Sequence, residues 1–331
     1  MDATTEEPGP GVGAPLPAAT WRGRFEPFLV GDPGRAAARV VPVPDPDGWD
    51  RRDTVLDGIA LREGRRTLAE VRAASVRGLS HRAYGTVRQD EYAFRRTTDG
   101  RYFVIGVADG VSSGRHSHRA AVLAARWGVA NLAAALSSVG PERFPWGRLL
   151  AAVADRIEQR GRDLLRDLGE ADAHARSTRE IADHLATTVL YAVIDLAPAR
   201  GAHEAHLVAV GDTSAWVLRP GGCWEPRTAV KNGNAVLASS AVRALPLPPP
   251  TEPVPVRTRV GPGEALVLMT DGVGDPLGAG DGDVGRYLAE VWSAPPPTGL
   301  EFAAQVGFAR KSFDDDRTAV AFWPIGEPGG S

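Results

Sequence analysis

The sequence is poor in residues that would point to several common chemistries. It has a single cysteine, Cys223, in a chain of 331 residues, so no intramolecular disulfide can form. That cysteine sits in a Gly-Gly-Cys-Trp turn with no second thiol nearby in sequence, which reads as an ordinary reduced thiol. Lysine is almost absent: Lys231 and Lys311 are the only two, and arginine carries nearly all the basic charge. The formal net charge of −3 lacks the basic excess of a polyanion-binding surface, so nucleic acid is not expected as a partner. No run of ~18 apolar residues occurs, and Arg126 interrupts the best candidate, 120–136. The N-terminus carries Asp2, Glu6 and Glu7 in place of a basic-then-apolar leader. A soluble, cytoplasmic protein without a membrane partner is the expectation. Histidines at zinc-site spacing are missing too: His116 and His118 are two apart, and His203 and His206 three apart.

Among the features present, one stretch organises the rest. Residues 102–114 read YFVIGVADGVSSG, an apolar run that stops at Asp109-Gly110. The run predicts a buried strand, and a carboxylate at the rim of a buried strand is costly unless a positive group meets it. Residues 265–272, ALVLMTDG, repeat the pattern and place Asp271 at a second strand end. A third group of acids, Asp314-Asp315-Asp316, stands just before a final strand over 318–323. Three acidic strand ends, distant in sequence, predict carboxylates gathered about cations at one rim of a sheet, since they would otherwise repel one another. An oxygen-only donor set favours Mg2+ or Mn2+.

Around these ends the texture is mixed α and β. Residues 1–18 read as a disordered tail rich in Gly, Pro and Ala, and 19–72 as an extension that packs on or near the main domain. The main domain is expected over 73–325, with a tail at 326–331. Strands are predicted at 73–79, 92–95, 187–196, 205–212, 214–220 and 265–269. Helices are predicted at 118–138, 145–168, 284–292 and 298–311. Strand follows strand over 187–220 with no intervening helix, so these pairs are expected to be antiparallel. Asp212, between two of them in Gly-Asp-Thr, is expected to be a turn residue and not a ligand.

In order along the chain, GLSHRAYGTVRQD (78–90), VIGVADGVSSG (104–114), ATTVLYAVI (186–194), VAVGDTSAWVL (208–218), ALVLMTDGVGD (265–275) and DDDRTAVAFW (314–323) together resemble the metal-dependent protein phosphatases of type 2C, and the first phrase is similar to a bacterial branch of that family. The resemblance implies an α+β, four-layer α-β-β-α sandwich of two antiparallel sheets flanked by helices. It implies a serine/threonine phosphatase that hydrolyses phosphoserine and phosphothreonine with metal-activated water at a binuclear Mn2+ or Mg2+ centre. Carried over, Asp109 would bridge two ions, the carbonyl of Gly110 would bind the second, and Asp271 and Asp315 would complete the first. Asp90 would support the site, and Asp275 matches a family acid near it. Asp183 matches either an acid of a third, weaker metal or an exposed helical acid. The arginine that holds the substrate phosphate could be Arg82 or Arg88.

Two departures stand out. Val111 occupies the place where some members carry a histidine, and Asp316 replaces an asparagine. A phosphorylated protein substrate and a cognate Ser/Thr kinase are implied, and nothing requires more than a monomer. The alternatives are a catalytically silent regulatory binding module and a small-molecule phosphohydrolase.

Overall fold

The computed structural model describes residues 28–32, 41–43, 53–170, 172–197, 201–228, 244–249 and 251–326. The tails expected at 1–18 and over most of 326–331, together with Trp21, Phe25 and Trp49 of the extension, lie outside the described residues.

Two antiparallel sheets face one another. The first contains β1 (Thr54–Glu63), β2 (Arg66–Val76), β7 (Ser214–Arg219), β8 (Cys223–Pro226), β10 (Ala265–Met269) and β11 (Arg317–Pro324), in the order β1-β2-β11-β10-β7-β8. The second contains β3 (Glu91–Arg96), β4 (Tyr102–Gly110), β5 (Thr187–Asp195), β6 (His203–Val210) and β9 (Val256–Val260), in the order β3-β4-β5-β6-β9.

Strand periodicity explains the layering. On β4, Phe103, Ile105 and Val107 point between the sheets, where they join Val71, Leu190, Leu266 and Phe322. Tyr102, Val104 and Ala108 point the other way, toward α2 (Ser117–Val122), α3 (Gly128–Leu136) and α4 (Trp146–Asp167). The first sheet is covered on its outer face by α6 (Asp271–Leu277), α7 (Asp283–Val291) and α8 (Gly299–Val306), through Leu277, Leu288, Trp292 and Phe302. Each such fully buried side chain stabilises the fold by roughly 1.5–3 kcal/mol. The expected α-β-β-α sandwich is therefore the fold.

The helix expected over 118–138 is present, with an interruption the sequence did not announce. A π turn, Leu123–Trp127, links α2 to α3. The hydroxyl of Tyr191 on β5 donates to the carbonyl of Ala124 within that turn at 2.6 Å. Gly106 on β4 permits the close approach of the helix: a Cβ there would lie 2.6 Å from a Val129 methyl.

Other boundaries shift for local reasons. The strand expected at 73–79 is the end of a longer β2, so residue 73, where the main domain was expected to begin, falls inside a strand. Beyond it, residues 79–84 form α1 (Leu79–Tyr84), closed by Gly85 at a φ of 74°. The helix expected over 298–311 stops at Val306, after which Ala309 turns aside to bridge Leu29. Two pieces of the extension touch the domain. Val30 is buried and its N–H donates to the Ala309 carbonyl, while Val41 donates its N–H to the carbonyl of Arg82 at 2.7 Å.

Candidate metal centre

Every strand that carries one of the expected acids ends at the same rim. β4 stops at Gly110, β10 runs into Asp271, and β11 begins just after Asp315. The β6–β7 turn holds Asp212 at this rim as well. Carboxylate oxygens of Asp109, Asp212 and Asp271 lie within 4.8 Å of one another. The sequence predicts Asp212 as a turn residue and not a ligand. It is in the turn, and it also brings its carboxylate to the other two. The signal was present in VAVGD, an apolar run ending in Gly-Asp, which mirrors the Asp-Gly ends of β4 and β10.

The electrostatics of this cluster are unfavourable in the protein alone. Burial and the charges of Asp90, Asp271 and Asp315 push the Asp109 carboxyl well above its ordinary value. Burial and neighbouring Asp316 push Asp90 up to about 8, even though Thr318 and Thr270 donate to its Oδ2 at 2.7 and 2.8 Å and oppose the shift. Burial and Asp316 also raise Asp315. The donors are all oxygen, the carboxylates face one another, and the groups fit a hard divalent cation.

The backbone that carries these acids is held tightly. Thr187 donates its hydroxyl to the Asp109 carbonyl at 2.8 Å. Gly110 tolerates no side chain, since a Cβ there would sit 2.9 Å from both the Gln89 carbonyl oxygen and the Ser117 backbone. Asp316, the residue in place of asparagine, is buried and accepts from two backbone N–H groups. Its Oδ1 accepts the N–H of Gly78 at 2.6 Å and its Oδ2 the N–H of Gln89 at 2.5 Å. His81 Nδ1 lies 2.9 Å from the same Oδ1. Burial alone would lower the His81 pKa, but Asp316, Asp315 and Asp90 together raise it. One carboxylate thus ties both ends of the α1 segment to the acidic turn.

The two candidate arginines separate clearly. Arg88 is buried, with its guanidinium directed to the Ser75 hydroxyl and the Asp90 carbonyl, and 3.8 Å from Glu91. Arg82 is half-buried on α1, the helix that Asp316 anchors beside the acidic turn. Sequence reasoning passed over Arg317. It is buried, its guanidinium lies 4.6 Å from the centre of the Phe308 ring, and it donates to the Phe313 carbonyl. Burial lowers its pKa to about 10 against the pull of Asp315, Asp314 and Asp316. Asp183 is exposed at the C-terminal cap of α5 (Thr178–Ala182) and is not among the acids grouped with Asp109; Asp275 is exposed on α6.

The family model described as Protein phosphatase 2C matches residues 77–305. Solved structures similar to this chain include the catalytic domain of the serine/threonine phosphatase PstP in complex with two manganese ions, at 18% identity over 78% of this chain and 99% of that one, with a TM-score of 0.47. A serine/threonine phosphatase of S. agalactiae is similar at 15% identity, covering 82% and 98%, TM-score 0.45. A C. elegans sex determining protein is similar at 13% identity, covering 78% and 65%, TM-score 0.51. No protein of curated function matches the sequence.

Proposed function

The chain belongs to the protein phosphatase 2C family, and from that premise we propose that it is a metal-dependent serine/threonine phosphatase acting on phosphorylated proteins. The observation that carries this reading is the meeting of Asp109, Asp212 and Asp271 at one rim, within 4.8 Å, on a rigid sandwich. Asp109, the Gly110 carbonyl, Asp271 and Asp315 would hold two Mn2+ or Mg2+ ions, with Asp212 turned toward the same space. Such ions, when bound, lower the pKa of water and offset phosphoryl charge.

The chain's own groups supply the rest. Asp90 is fixed by the hydroxyls of Thr270 and Thr318, so its carboxylate keeps one orientation beside the cluster. Arg82 would hold the substrate phosphate in this reading, since the Arg88 guanidinium is directed to the Ser75 hydroxyl and the Asp90 carbonyl. Val111 follows Gly110, so no side-chain acid stands directly after the Asp-Gly pair to protonate the leaving alkoxide. A cell using this activity also requires a kinase that phosphorylates serine or threonine.

Phosphate release from a phosphothreonine peptide tests the reading, with Mn2+, with Mg2+ and with chelator, beside an Asp271→Asn control. Release that needs metal and disappears in the control is expected. Folded protein that binds Mn2+ yet releases nothing from any phosphopeptide would overturn it.

A further inference from the structure

The strands that converge on the acids at one rim start or finish, at their other ends, around a cavity of about 820 Å3. It is bounded by the β1–β2 and β3–β4 turns, by Leu196 and Ala197 after β5, by Gly201 before β6, and by the residues just after β11. β4 alone separates the two ends by nine residues, roughly 27 Å at ~3.4 Å per residue. The volume falls within the range of roughly 300–1,000 Å3 typical of small-molecule sites.

Three arginines line this cavity: Arg66, Arg96 and Arg101. Arg96 is the unusual one. Its Nε donates to the Gly100 carbonyl and its Nη1 to the Arg62 carbonyl, both at 2.7 Å. Gly100, at a φ of 75°, leaves no Cβ over which the guanidinium would have to climb. No carboxylate of the described residues pairs with Arg96, so two backbone carbonyls hold a full positive charge in place without neutralising it. Arg101 is fixed by Asp195 at 3.0 Å and by the Tyr102 ring at 5.0 Å.

Two acids share the cavity. Asp99 accepts from the Thr97 hydroxyl at 2.5 Å and the Arg101 N–H at 3.1 Å, which hold it in its charged form, and Glu63 is exposed at the end of β1. Leu68, Leu196 and Ile325 give the same cavity an apolar wall. His203 adds a neutral polar edge. Its Nδ1 meets the Asp195 carbonyl at 2.8 Å, which fixes the proton on that nitrogen and leaves Nε2 as an acceptor.

We propose that this cavity is a binding site for a nucleoside phosphate, with Arg96 and Arg101 on the phosphates and the apolar wall against the base. Preorganised guanidinium groups favour phosphate because their planar donors match its oxygens. The metal end and the cavity share no residue, so the site stands whether or not the phosphatase reading holds.

The test is calorimetric titration of ADP into the full chain with chelator present, so that no divalent ion draws phosphate to the acidic rim. One saturable site is expected. Arg96→Gln should weaken it at least tenfold, Glu63→Gln should tighten it, and Asp109→Asn should leave it unchanged. The opposite signs of the first two variants exclude a general loss of folding as the cause. The proposal is overturned by the absence of saturable binding at millimolar ADP. Equal binding by wild type and Arg96→Gln overturns it too, and so does binding lost in Asp109→Asn but kept in Arg96→Gln.

Discussion

The two ends of the sandwich handle charge in opposite ways. At the cavity end, apart from Arg96, which backbone carbonyls hold, arginines meet acids: Arg101 with Asp195, Arg219 with Glu264 and Glu225, Arg257 and Arg259 with Glu204. At the acidic rim, carboxylates face carboxylates, while buried Arg317 is turned to a backbone carbonyl and an aromatic ring and buried Arg88 to the Ser75 hydroxyl and the Asp90 carbonyl. The same strands reach both ends, so the contrast does not come from different scaffolding. Natural surfaces pair their charges; a rim that draws three carboxylates within 4.8 Å of one another is built for something that arrives from outside.

The largest expected effect breaks that contrast outright. Asp109→Asn should reduce metal-dependent phosphate release on the order of 10^3-fold or more, as expected when preorganised charge is removed at the reacting centre. The same variant should melt higher than wild type in chelator, because it deletes a carboxyl that burial and three neighbouring acids oppose. Loss of activity together with a lowered melting temperature would contradict this account of the rim.

The next test is pH. Asp90 carries an ordinary value of 3.8 unfolded and about 8 folded, so between those limits the folded protein holds a proton that the unfolded chain has released. Metal-free stability should therefore fall as pH rises from about 4 to about 8. Asp109, Asp315 and His81, all raised, act in the same direction, while buried His203 and His206, both lowered, oppose it weakly near neutrality. Thermal melts across this range, with chelator and then with excess Mn2+, should show the decline and its reversal by the ion.

A third measurement concerns the Asp316 clasp. Asp316→Ala leaves the N–H groups of Gly78 and Gln89 without acceptors, at about 1–3 kcal/mol each. Urea denaturation should register a loss of that order, and Asp316→Asn a smaller one, since the amide can accept from only one of the two. Asp212 and Asp183 then sharpen the boundary of the centre. Asp212→Asn should weaken Mn2+ binding measurably in a direct titration, and Asp183→Asn should change the tightest sites much less. The smallest effect belongs to the opposite end: Arg101→Ala breaks an exposed bridge and should cost under about 1 kcal/mol.

Much of this architecture was legible because the signals were hydrophobic. β4 and β10 are apolar runs with abrupt acidic ends, so both the strands and the location of their carboxylates could be read. β1 could not, since Thr54–Glu63 is largely solvent-facing and its Asp57 and Arg62 hide the alternation. β2 was recognised only in its final residues, because Arg66, Glu70 and Arg72 interrupt its apolar positions, although Arg72 is buried and donates to the Pro296 carbonyl. Asp109 and Asp271, which meet at the rim, stand at strand ends that the sequence shows. Arg82 and Arg88 look alike in the sequence, and the burial of Arg88 against Ser75 and the Asp90 carbonyl is a tertiary fact with no local sequence signature. Asp212 carried the right local pattern, but the same residues also satisfy a turn.

The strand order has a practical consequence for anyone shortening this protein. Residues 77–305, the span matched by the family model, omit β1, β2 and β11. A fragment trimmed to that span would lose half of one sheet, and with β11 the partner of β10. Ala265–Met269, five residues buried without exception, would become an open edge. Such an edge recruits other chains through its unpaired backbone. The trimmed fragment should collect in inclusion bodies, whereas cuts outside Asp53 and Ile325 should yield dispersed material.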